Sequence, residues 1–132
     1  MQGRSHFLKA SYGTLEGSKV VILGASYREG VKEVFRSGVF PLVEKLQNLG
    51  ATPFVHDPLF EDSELKELGF EPFSFGQPCD IAIVHTAHDL YRELTPSDLP
   101  ELKIFYDGRS ITNADVWSDI IYIKFGVSEE LI

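Results

Sequence analysis

The feature that most constrains this chain is the stretch from Val20 to Gly38, VVILGASYREGVKEVFRSG. Four consecutive apolar residues, three of them β-branched, stop at Gly24. Such a run reads as a strand buried on both faces, and the glycine permits a sharp turn at its end. A polar loop follows, and then Ser37-Gly38 opens an amphipathic pattern. Strand, tight turn and helix in that order place a loop and a helix N-terminus at the carboxyl end of a parallel strand. That is where open α/β sheets bind ligands. The unpaired N–H groups and positive dipole end of a helix N-terminus suit a phosphate. The pattern by itself specifies an anion site on an α/β domain.

The rest of the chain repeats the alternation. Lys19–Leu23 is the first strand. Phe35, Val39, Leu42, Val43, Leu46 and Leu49 recur at helical spacing, which predicts a helix from Ser37 to Leu49. Ser37 is the expected N-cap, Pro41 falls in the first turn and Gly50 is the stop. Ala51–His56 is the second strand, closed by Asp57-Pro58, and the three elements form a right-handed βαβ unit. A short helix over Ser63–Leu68 ends at Gly69, and Phe70–Phe75 is irregular or briefly extended. Further strands are predicted over Asp80–His85, Leu102–Tyr106 and Ile120–Phe125, the last a candidate edge, with a turn and short helix over Thr86–Glu93. The fold class is therefore α/β: a Rossmann-like three-layer sandwich around a mainly parallel sheet of about five strands. Residues 1–18, with Phe7, Leu8, Tyr12 and Leu15 in no sustained period, read as a lead-in to a domain spanning 19–132.

Bulk properties narrow the function. The 132 residues suffice for one domain and one core. A net charge of -8 argues against nucleic acid, whose phosphates are bound by basic faces. No apolar run approaches the ~20 residues that span a membrane, and no signal peptide is visible. The single cysteine, Cys79, excludes an intrachain disulfide and any multi-cysteine zinc site. Together these point to a cytoplasmic protein.

Several residues are candidates for binding chemistry, each with a plainer alternative. Gly24-Ala25-Ser26 lacks the second glycine of a dinucleotide fingerprint, so the plainer reading is a structural strand-to-loop turn. Tyr27 beside Arg28, Lys32 and Arg36 offers a stacking face and cations, or a solvated loop. Asp57 stands where a Rossmann domain holds a ribose, or simply starts a turn. His85 and His88 share a spacing that metals use, but lack a third ligand, and hydrogen bonding is the favoured role. Arg109, after Asp107-Gly108, either clamps a phosphate or pairs with Asp107. Cys79 has no activating neighbour and reads as inert.

Five segments in order, VVILGASYREGVKE, SGVFPLVEKLQNLGA, VHDPLF, CDIAIVHTAHDLYREL and YDGRSI, resemble the C-terminal, UDP-binding domain of the UDP-glucose/GDP-mannose dehydrogenase family. The likeness covers residues 19–125. It implies part of an enzyme that oxidises the C6 hydroxyl of a UDP-sugar to a carboxylate in two NAD-dependent steps. The NAD-binding and central domains, and the catalytic cysteine, are in other parts of such enzymes, and Cys79 does not match that cysteine. The resemblance implies that Tyr27, Arg28, Ser37 and Arg109 bind the nucleotide sugar, and that Asp57-Pro58 closes the second strand. Many members carry an NAD-binding arginine where this chain has Phe35, which leaves Lys32 and Arg36 as cofactor contacts. It further implies a homo-oligomeric full-length enzyme, with this chain inactive alone. A stand-alone nucleotide-binding module and a purely structural assembly domain are the rival expectations.

Overall fold

A computed structural model describes residues 15–124. Five strands form one parallel sheet: β1 (Lys19–Leu23), β2 (Thr52–His56), β3 (Ile81–Val84), β4 (Ile104–Asp107) and β5 (Ile121–Lys124). Their spatial order is β2-β1-β3-β4-β5, which leaves β2 and β5 at the edges. The chain goes from β1 outward to β2, then returns past β1 to β3. The β1/β3 seam is thus the point where the strand order reverses, and a crevice opens there at the carboxyl ends.

The pleat explains the two cores. Val20 and Ile22 face one side with Ile81, Ile83, Ile104 and Tyr106, while Val21 and Leu23 face the other with Ala82, Val84 and Phe105. Both sides are covered, so β1 and β3 are apolar without alternation. The first face is closed by α1 (Val39–Asn48), through Val39, Leu42 and Leu46, and by Leu65 of α2 (Asp62–Glu67). The second is closed differently, by Tyr91, Leu94, Leu99 and Trp117, which come from 3-10 turns and loops rather than long helices. Trp117 stacks on Phe105 with centroids 4.2 Å apart. Full burial of each Val, Ile or Leu is worth about 1.5–3 kcal/mol, so the completely buried Val20–Leu23 run anchors the sheet.

Several boundaries differ from expectation. The cap of α1 is Gly38, not Ser37; the Ser37 hydroxyl instead accepts the Val39 N–H at 3.1 Å from just outside the helix. Phe35, assigned to the apolar helix face, precedes the helix and is 89% exposed. Among the described residues there are also three 3-10 turns, at Asp89–Glu93, Pro96–Asp98 and Ala114–Trp117. Phe70–Phe75 makes only an isolated bridge, Val55 to Pro72. Leu15, in the predicted lead-in, is fully buried in the first core, and Gly17 donates to the Gly50 carbonyl at 2.9 Å. Phe7, Leu8, Tyr12 and Phe125 lie outside the described residues.

Candidate functional site

The loops leaving β1, β3 and β4 converge at the carboxyl edge of the sheet. Between them lies an open cleft of about 300 Å³, lined by Tyr27, Arg28, Glu29, Thr86, Ala87 and Arg109. Tyr27, Arg28 and Arg109, the aromatic and two cations singled out from the sequence, therefore meet at one place. Arg109 is held from behind: its Nε–H donates to the His85 carbonyl at 2.8 Å, and its backbone N–H to Asp107 Oδ1 at 3.0 Å. The alternative of a guanidinium paired with Asp107 is not what forms. The other Asp107 oxygen accepts from Ile111 N, Thr112 N and Thr112 Oγ1, making this buried carboxylate the staple of the turn. Among the described residues no carboxylate forms a salt bridge with Arg28 or Arg109. Glu29 is the only acidic residue in the lining, so the cleft carries a small positive excess in a chain of net charge -8.

Close packing shapes the back of the cleft. Gly24 has φ +108°, and a Cβ there would lie 2.7 Å from the Thr86 backbone N and collide with the Thr86 side chain. Thr86 Oγ1 donates to the Ser26 carbonyl at 2.8 Å, and the His85 ring, through Nδ1, bonds the Gly24 carbonyl at 2.9 Å. The β1 and β3 loops are thereby stitched together.

Asp57 does not present a free carboxylate to a ribose. It is buried, and its Oδ2 accepts from Ala25 N (2.8 Å), Ser26 N (2.9 Å), Ser26 Oγ (2.8 Å) and His88 Nε2 (3.1 Å). Oδ1 accepts from Leu59 N at 2.9 Å. Burial opposes ionisation, but these donors outweigh it, the His88 bond foremost, and hold the carboxyl down at about 2. His88 is also buried, and its Nδ1 accepts the Gly30 N–H at 3.3 Å, so the bonding pattern puts the ring proton on Nε2. This role was invisible in the sequence because the partners are 31 residues apart. The signal available was the coincidence of a strand-ending glycine loop with a strand-ending aspartate.

The other candidates fall elsewhere. Lys32 pairs with Glu64 of α2 at 2.6 Å and lies over the Phe60 ring, so it faces away from the lining residues of the cleft. Arg36 is exposed and Ser37 buried, and neither lines the cleft. Cys79 is buried, and desolvation pushes its thiol up to about 12, as expected of an inert sulfhydryl. No group of three or more metal-ligating side chains occurs among the described residues. Nor is any described helix long and apolar enough to cross a membrane. A hollow of about 350 Å³ beside β2, around Val43, Pro53 and Phe70, is larger than the cleft but lies away from the strands' carboxyl ends. A third, of about 300 Å³, holds His56 against Phe75, and burial lowers this histidine to about 4.

Known proteins share this fold. The UDP-N-acetyl-mannosamine dehydrogenase of S. aureus superposes with a TM-score of 0.73 at 20% identity, covering 99% of this chain and 31% of its own. The UDP-glucose dehydrogenase of Pyrobaculum islandicum gives 0.68 at 21%, covering 92% and 28%. A UDP-N-acetyl-D-mannosamine dehydrogenase of Methanococcus maripaludis is 26% identical over 109 residues, 78% of this chain and 25% of the relative. The chain thus spans about a quarter of the length of that relative. The model of the UDP-glucose/GDP-mannose dehydrogenase family, UDP binding domain, matches residues 21–114, which contain the last three residues of β1, all of β2 to β4 and every residue lining the cleft. Five parallel strands in this order and a family match across most of them lead to one assignment: the chain belongs to the UDP-glucose/GDP-mannose dehydrogenase family, as its UDP binding domain.

Proposed function

We propose that the Tyr27–Arg28–Arg109 cleft is the nucleotide-sugar subsite of an NAD-dependent UDP-sugar 6-dehydrogenase. Residues 19–132 are the substrate-binding unit in this reading, and the NAD-binding and central domains of the same enzyme supply the cofactor site and the catalytic thiol. The observation that carries it is the convergence of two arginines and a tyrosine at the sheet's switch point, in an acidic chain. The guanidinium of Arg109 suits a diphosphate, because planar paired donors match phosphate oxygens. Tyr27, 45% exposed, offers a flat face to the uracil ring. Holding the diphosphate fixes where the sugar C6 lies relative to a thiol and nicotinamide in the other domains. That is a positioning contribution, with no bond broken by this chain.

Ser37, outside the cleft lining, is assigned a supporting role at the start of α1. Lys32 and Arg36 are the remaining candidates for a contact with NAD across the domain boundary. The full enzyme is a homo-oligomer and cytoplasmic in this reading.

Calorimetric titration of the chain with UDP, with GDP and NAD as controls, tests the proposal. UDP alone should bind, and Arg109→Ala should weaken it by about 1.5–3 kcal/mol through loss of a charge-assisted bond, roughly 10- to 150-fold. Equal affinity of wild type and Arg109→Ala would remove Arg109 from the site. It would favour a domain kept for assembly.

A further inference from the structure

The six-residue segment Ala25–Gly30 carries Tyr27 and Arg28 outward, yet it is held from the inside at both ends. At its start, Ala25 N, Ser26 N and Ser26 Oγ all donate to Asp57 Oδ2. At its end, Gly30 N donates to His88 Nδ1. The other nitrogen of that ring donates back to the same carboxylate oxygen. Asp57 follows β2 and His88 follows the β3 loop, so one carboxylate and one imidazole tie three loops together. Both side chains are buried and neither lines the cleft. The Tyr91 and His88 rings meet in a T-shaped contact, centroids 5.7 Å apart, which limits how the imidazole can turn. Two exposed ligand-facing residues between two buried anchors form a lever whose geometry the anchors set.

We infer that Asp57 and His88 are positioning residues for the nucleotide, holding the Tyr27–Arg28 loop at the distance from Arg109 that a diphosphate requires. This rests on the reading that the cleft binds a UDP-sugar. His88 is the informative position, because it alone joins the far end of the loop to Asp57. His88→Leu deprives Gly30 N–H of its acceptor and Asp57 of one donor. His88→Gln keeps a donor and an acceptor on one planar group.

The test is UDP titration of the full chain, well below the melting temperature and corrected for the folded fraction. His88→Leu should lose about tenfold or more in affinity, since displaced binding groups are costly, and His88→Gln should recover most of it. A double-mutant cycle separates positioning from stability. Because His88 acts through the loop, His88→Leu should add less than fully to Arg28→Ala, leaving only its effect on Tyr27. Amide hydrogen exchange should quicken over 25–30 and not in the sheet. Should His88→Leu fail to fold, His88→Asn takes its place against His88→Gln, because its amide, one methylene shorter, does not reach both Gly30 N–H and Asp57 Oδ2.

Unchanged affinity in His88→Leu, equal losses in the Leu and Gln variants, or additivity with Arg28→Ala would overturn the inference while leaving the cleft in place. Absence of UDP binding by the wild type would instead overturn the reading of the cleft. The exchange measurement reports on the loop without any ligand.

Discussion

Asp57→Asn should destabilise this domain by about 3–4 kcal/mol, with a fall in Tm of roughly 10–15 °C for a domain this size. The substitution conserves volume, so no cavity contributes. What changes is the match of donors to acceptors. Asp57 Oδ2 accepts four hydrogen bonds and Oδ1 a fifth. An amide placed there turns one oxygen into an NH2 group, which must face either Leu59 N–H or the cluster of Ala25, Ser26 and His88. Donors then oppose donors in a buried site, and each stranded donor bears its full desolvation cost. The effect is pH-dependent with a definite sign. The carboxyl titrates at about 2 in the folded protein, below the ordinary value near 3.9 that it regains on unfolding. Its stabilisation is therefore complete above about pH 5 and disappears as the pH falls through 4 toward 2. Urea unfolding of both proteins between pH 7 and 2.5 should show the gap between them closing over that window. A gap that stays constant down to pH 2.5 would mean that the charge of Asp57 is not what holds the loop.

Gly24→Ala should cost about 3–5 kcal/mol, combining left-handed backbone strain with overpacking. At φ +108° an L-residue is strained whatever the space, and here there is none. The added methyl meets Thr86 Cβ, Thr86 Oγ1 and, at 2.7 Å, the Thr86 backbone N. That nitrogen cannot retreat, because its N–H donates to the Leu23 carbonyl at 3.1 Å. Trimming Thr86 to alanine should consequently fail to rescue Gly24→Ala, since the backbone contact survives. Equilibrium denaturation of the single and double variants checks this. Recovery of wild-type stability in the double variant would place the conflict in the side chain alone.

The contrast between these two positions shows what the sequence could disclose. Gly24 ends an apolar run, so the sharp turn there was legible. So were the five strands, because both faces of β1 and β3 are buried and their residues are continuously apolar. The meeting of Tyr27, Arg28 and Arg109 was also foreseeable, since strand-end loops in a parallel sheet share one edge. Asp57 stands open between a ribose and a turn in the sequence, because an aspartate at a strand end reads the same whether its oxygens face a ribose, its own turn or another loop; it does start the turn, accepting the Leu59 N–H. Only the burial and the donors decide, and those come from Ala25, Ser26 and His88. Lys32 was grouped with the cleft on proximity in sequence alone, and its partner Glu64 lies on a different element. Phe35 matched a helical period that begins only at Val39. The Thr95–Asp98 turn did carry a sign, as Asp98 Oδ2 accepts the Thr95 N–H in the capping pattern that the spacing of the two residues allows.

The reading of the cleft as a nucleotide-sugar subsite is tested most directly by a crystal structure of this chain with UDP. The diphosphate should lie between Arg28 and Arg109, with the uracil ring against Tyr27 and the Asp57–His88 pair unchanged beneath the loop. UDP seated instead in the hollow around His56 and Phe75, or no bound nucleotide at millimolar UDP, would contradict that reading.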